Sequence, residues 1–216
     1  MISSRYLFIP LLAIIVISCK QKPASTADNS QAEDTTVNKV DTAVVDLPGD
    51  KPIPLAQLVV PGISLGQTTI NESSENIYTR LGKPDAGDAA MGKSIAIWYA
   101  NHDTTGYVTQ MYFSRDMGND ETSRVKQVRV TSPVFKVTNK LHTGAPLKDA
   151  MALYHLKKVA TFTDKGNSRS LYDDAKAGIG FEADDKNIIT GITVHEPGKD
   201  VTTTYLPFFA DLKPVK

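Results

Sequence analysis

The sequence predicts an α+β protein of tandem repeats, each a short helix packed on an antiparallel β-meander, preceded by a signal segment and an unstructured tether. Three observations carry this. Two segments place apolar residues at helical spacing, each is followed by runs alternating apolar and polar residues, and apolar spacings in the first half recur in the second. Residues 53–216 are long enough for ~70% of the unfolded surface to be buried without a disulfide or a metal.

The chain begins with Arg5 as the one charged side chain before an apolar run of eleven residues, Leu7 to Ile17, and the polar stretch Lys20-Gln21-Lys22-Pro23 follows. Such flanks suit a secretory signal, and eleven residues are too few for a bilayer-spanning helix, which needs ~20. Cys19 is the only cysteine, so an exported form has no intramolecular disulfide partner. The stretch Val16-Ile17-Ser18-Cys19 resembles the lipobox of bacterial lipoproteins, in which a small residue precedes a cysteine that is acylated and becomes the mature N-terminus. The resemblance implies residues 1–18 as signal peptide, lipid on Cys19, and attachment to a membrane of the cell envelope, the outer membrane preferred to the inner.

Removing residues 1–18 leaves 23 basic against 24 acidic side chains, a balance that gives no attraction to nucleic acid. Residues 19–52 carry few large aliphatic side chains and cannot bury enough apolar surface to fold. As a flexible coil they reach ~30 Å, and ~110 Å drawn out. Within this tether Asp34-Thr35-Thr36 and Asp41-Thr42-Ala43 look like the Asp-Thr triplets that some Bacteroidetes modify with O-linked glycan.

The first repeat is expected over residues 53–132. Thr69 and Glu72 have the spacing of a capping box, and Ile70, Ile77, Tyr78 and Leu81 share one helical face, so a helix is predicted over residues 70–81, ended by Gly82 and Pro84. Strands follow at residues 93–100, 107–114 and 125–130, joined by polar Gly- and Asp-bearing loops. The second repeat, residues 133–197, opens with Pro146 in a helix over residues 146–158, where Leu147, Ala150, Met151 and Tyr154 share a face. Strands are expected at residues 159–163, 169–173, 177–183 and 188–195. Ile77-Tyr78 corresponds to Leu153-Tyr154, and Val125, Val128 and Val130 have the spacing of Ile189, Ile192 and Val194. Residues 198–216 form a tail.

Leu65-Gly66, the first helix, Leu81-Gly82-Lys83-Pro84-Asp85, the aromatic strand Ile97-Trp98-Tyr99 and the valine-rich strand after it resemble two related groups. These are the small outer-membrane assembly lipoproteins (BamE-like, SmpA/OmlA) and the β-lactamase inhibitor protein-like domains. The resemblance covers residues 61–195 and implies helices on one face of an antiparallel sheet, with a non-catalytic role facing other proteins.

No Gly-x-Ser-x-Gly elbow, phosphate-binding loop or dinucleotide fingerprint is present, and with Cys19 acylated no cysteine nucleophile remains. The histidines His102, His142, His155 and His195 lack metal-site spacing and read as scattered residues. Asp173-Asp174 and Asp184-Asp185 read as solvated strand ends, because neighbours in a strand point to opposite faces. No catalytic, cofactor or metal residues are assigned.

Trp98 is opposite in phase to Ile95, Ile97 and Tyr99, and Tyr112 to Met111 and Phe113. Both are expected on the open sheet face, as a candidate interaction surface for a protein partner. The competing expectation is that Tyr205-Leu206-Pro207-Phe208-Phe209 folds back over that face. The reading that follows is a lipid-anchored, non-enzymatic interaction or assembly module. The alternative is a carrier of a small or lipidic ligand in an apolar pocket, and an anchored hydrolase stands behind both.

Overall fold

A computed structural model describes residues 52–138 and 140–215, so Cys19 and the tether triplets lie outside the described residues. The described residues fall in one compact unit. A small ribbon of β1 (Val59–Val60), β2 (Ser64–Leu65) and β3 (Thr68–Thr69) leads to helix α1 (Ser74–Leu81). Strands β4 (Ala86–Ala90), β5 (Lys93–Tyr99), β6 (Val108–Asp116) and β7 (Asp120–Val130) follow, then helix α2 (Leu147–Met151). The chain closes with β8 (Lys157–Asp164), β9 (Asn167–Asp174), β10 (Ile179–Ala183), β11 (Ile189–His195) and the short β12 (Lys213–Pro214).

The predicted α+β class of tandem helix-plus-meander repeats is corrected. Among the described residues the protein is mostly β, with two α-helices of 8 and 5 residues and one nine-stranded antiparallel sheet in the order β12-β8-β9-β10-β11-β7-β6-β5-β4. β7 pairs with β11, setting Val128 against Val194 and Val130 against Ile192, so the strands expected in separate meanders share one continuous ladder.

The helices are short for identifiable reasons. Asn71 takes a left-handed φ of 71°, its N–H donates to the Val125 carbonyl, and the Val125 N–H donates to the Glu72 carbonyl. Residues 71–73 therefore pair with β7, and the helix starts one turn later, where the Ser73 hydroxyl accepts from the Asn76 N–H. The Glu72 carboxylate still accepts the Thr69 N–H, so that half of the expected capping box forms outside the helix. In α2 the turn after Met151 seats Tyr154 against Phe181, and the His155 N–H donates to Asp174, which turns the chain into β8.

One sheet face is apolar. Trp98, Met111, Phe113, Val125, Val128, Val130, Ile192, Val194 and Phe181 pack there with Ile77 of α1 and with Leu147 and Ala150 of α2. The other face carries Gln110, Gln127, Arg129, Thr193, Glu182, Asp173 and His195, all buried. Burying so many polar groups costs several kcal/mol unless each is partnered. The C-terminal segment covers this face and supplies part of the partnership. The Gln127 amide donates to the Val201 carbonyl (2.8 Å), the Val201 N–H donates to Asp173 (3.1 Å), and Phe209 stacks on Phe162. Asp173 also holds His195 at 2.9 Å, and Asp174 accepts the Ala177 N–H, so this aspartate pair is built into the core rather than solvated.

At the centre of that face the Arg129 guanidinium meets the Glu182 carboxylate through two bonds (2.5 and 2.7 Å), donates to Gln110 (2.7 Å), and lies 4.8 Å from the Phe209 ring centroid. The two ionised side chains are only 3% and 2% exposed. The Glu182 carboxylate raises the Arg129 pKa in spite of the burial that works against its charge. Gly191 lies opposite Glu182 on β11, and a Cβ there would collide with the carboxylate.

Removing one member of such a pair strands a buried charge. Glu182→Gln is expected to destabilise the fold by ~3–5 kcal/mol in urea denaturation. The double change Arg129→Met with Glu182→Leu should recover most of that loss; equal destabilisation by both would contradict this account of the pair.

Candidate functional site

Trp98 reaches the apolar face because β5 alternates in the phase opposite to the expected one. Ala96 and Trp98 are buried, whereas Ile95, Ile97 and Tyr99 are half-buried on the other side. Trp98 pairs with Thr109, Ala96 with Met111, and Met111 with Val128 across three strands. The indole N–H donates to the Gly82 carbonyl at the end of α1 (3.2 Å), and the Tyr78 ring packs 5.9 Å from the indole. Gly82 itself has φ 77°, a left-handed stop that suits glycine.

Trp98, Thr109, Met111 and Val128 form the floor of a pocket of about 320 Å³. Leu81 of α1 and Leu65 of β2 supply one wall, and Phe135 another. The turn at Gly66 brings the ribbon in close: its φ is 56°, and a Cβ there would lie 2.7 Å from the Ala56 carbonyl oxygen and 3.1 Å from Phe135. The Leu65-Gly66 pair thus has a local reason, which is to shape this wall.

The pocket mouth is polar, and its charges are partnered within the protein. Arg80 donates to Glu72 (2.6 and 3.0 Å) and to Thr68 (3.1 Å), and the Glu72 hydrogen bond raises its pKa. Asp85 accepts the Tyr99 N–H (2.8 Å) and meets His102 Nδ1 (2.6 Å). The Tyr99 N–H first, and His102 second, hold the Asp85 carboxyl below its ordinary value. His102 reaches Asp85 from a loop in which Asn101 and His102 are both left-handed, at φ 57° and 59°. Two adjacent non-glycine residues in that region are uncommon and mark a constrained turn.

This arrangement can hold an apolar body, and among the described residues Arg80 and Asp85 at its mouth each have hydrogen-bond partners within the protein. Among the described residues no group of three or more His, Cys, Asp or Glu side chains is placed to hold a metal ion. The expected surface pair is not brought together. Trp98 and Tyr112 lie on opposite sheet faces and are only 9% and 6% exposed, the first under α1 and the second under the C-terminal segment, where Tyr112 Oη accepts the Tyr205 N–H (3.4 Å). Of the two expectations for the tail, the covering one describes the structure. The error for Trp98 was one of phase: β5 buries its small Ala96 beside the tryptophan and leaves its isoleucines half-exposed. The sequence places Met111 on a strand face with Phe113 and marks the Leu65-Gly66 pair, but assigns neither Leu65, Met111 nor Phe135 to a site.

No family model matches the sequence, and no curated protein does. Among solved structures the chain is similar to an extracellular protein containing a SCP domain from Bacillus anthracis, at 13% identity and a TM-score of 0.40, covering 72% of this chain and 51% of that one. The chain thus spans about half the length of that protein, and at this level neither fold nor activity carries over.

Because folding lowers the Asp85 pKa, its contribution is present above the ordinary value of 3.8 and is lost as pH falls through the lowered value. Acrylamide quenching of Trp98, the only tryptophan, should stay constant from neutral pH down to 3.8 and rise below it. That acid step should be missing in Asp85→Asn; an unchanged step would detach Asp85 from the mouth.

Proposed function

We propose that the protein is a lipid-anchored envelope protein that holds a small, uncharged, largely apolar ligand in the Trp98 pocket. The observation that carries this reading is the pairing of an apolar floor with a mouth at which Arg80 and Asp85 are both hydrogen-bonded within the protein. Binding pockets are typically concave, mostly apolar, and edged by a few polar groups. The volume of 320 Å³ equals about ten waters at ~30 Å³ each, enough for one short hydrocarbon chain or a small ring system. The engaged states of Arg80 and Asp85 favour a neutral molecule, since an ionised one would have to displace Glu72 or His102. A role in binding or assembling proteins would need a surface other than Trp98 and Tyr112, both buried.

The anchor rests on the sequence around Cys19. Cys19→Ala is expected to release the protein from membranes and abolish metabolic labelling with an alkynyl palmitate; labelling that persists would refute the anchor.

Ligand binding is read through Trp98 itself. The neutral probe N-phenyl-1-naphthylamine should accept energy from the indole in a saturable, one-to-one manner, and dodecanol should displace it. Leu65→Phe, which narrows the pocket, should weaken the probe ~10-fold or more while leaving the fold intact by circular dichroism. Absence of saturable transfer, or transfer indifferent to Leu65→Phe, would refute the reading.

A further inference from the structure

In the floor of the Trp98 pocket one side-chain polar group stands without a partner among the described residues. The indole N–H of Trp98 is spent on the Gly82 carbonyl, and Met111 and Val128 offer no hydrogen. Thr109 is the remaining floor residue. It pairs with Trp98 on β5 and with Val130 on β7, so its side chain stands on the apolar sheet face. Its backbone is fixed by the sheet, yet the residue is only half-buried and its hydroxyl opens into the pocket instead of being sealed behind it.

The polar groups nearer the mouth are provided for. The Thr68 hydroxyl accepts from Arg80, Arg80 is held by Glu72, and Asp85 by the Tyr99 N–H and His102. Gln67 and His102 are exposed, where water serves them. An occupant without a polar group would strip the Thr109 hydroxyl of its water and return nothing, whereas one that carries a hydroxyl replaces the lost bond. A threonine hydroxyl donates and accepts, so it matches another hydroxyl in either sense. Trp98 and Phe135 add aromatic surfaces and Met111 a polarisable sulfur, which suit a flat ring.

Resting on the neutral-ligand reading of this pocket, we propose that the ligand is a small ring compound with a single hydroxyl, which it sets against Thr109 Oγ1. Thr109 is then the residue that selects for the hydroxyl, and the apolar walls accept the ring.

The test is isothermal titration of the full chain at pH 7 with 2-naphthol and with 2-methylnaphthalene, two uncharged rings of nearly one size that differ in the hydroxyl. Both are measured against the wild type, Thr109→Val and Thr109→Ser. Water's own preference for the hydroxyl compound cancels when the ratio of the two dissociation constants is compared between proteins. Thr109→Val should weaken 2-naphthol ~10-fold, the usual scale for one lost hydrogen bond, and leave 2-methylnaphthalene equal or tighter. Thr109→Ser keeps the hydroxyl and should keep 2-naphthol near its wild-type affinity, and circular dichroism checks that both variants fold. If both rings bind and their ratio is the same in Thr109→Val as in the wild type, the role of Thr109 is overturned while the pocket reading stands. If neither ring binds the wild type at its solubility limit, the pocket reading falls and this proposal with it.

Discussion

Arg129 sits where the sheet's two faces impose opposite demands. On β7 it alternates with Val128 and Val130, which fill the apolar core, so its own side chain must point to the other face. There one guanidinium joins β6 through Gln110, β10 through Glu182 and the C-terminal segment through Phe209. Buried ion pairs add little net stability compared with apolar residues of the same shape, but they punish misalignment severely. What this one fixes is register. A one-residue slip of β7 would put Arg129 into the apolar core and Val128 beneath the C-terminal segment.

That fixed register sets both hollows. With β7 held, β6 presents Thr109 and Met111 to the apolar side and Gln110 to the polar side, and β5 follows with Trp98 inward. The Trp98 pocket and a wider groove of about 1040 Å³ on the polar face are therefore back to back on one sheet, and the same alternation lines each. One has a floor of Trp98, Met111 and Val128 with its ions at the rim; the other has polar groups in its floor.

Much of the strand layout is legible in the sequence, because alternation is a local signal. Val125, Val128 and Val130 mark β7, and Ile192 and Val194 mark β11, each within a few residues of the strands found. The class was not legible, because helical spacing says nothing of competing partners. Asn71 and Glu72 fit a helix by pattern and lose it to Val125, a residue more than fifty positions away. The phase of β5 escaped for a related reason: isoleucine is the more apolar choice, yet the small Ala96 leaves the room that Met111 and Trp98 occupy. Gln127 and Arg129 alternate with those valines and are buried on the other face. The signal that bears on them is the aromatic stretch at Tyr205 to Phe209, which needed a surface to cover.

The proposed neutral ligand would occupy the pocket floored by Trp98, Met111 and Val128. The direct measurement is native mass spectrometry of the full chain purified gently from its native source. The account predicts a one-to-one adduct of a small uncharged molecule that dissociates on mild activation. Observation of the polypeptide without any such adduct, in every charge state and at the lowest activation, would refute it.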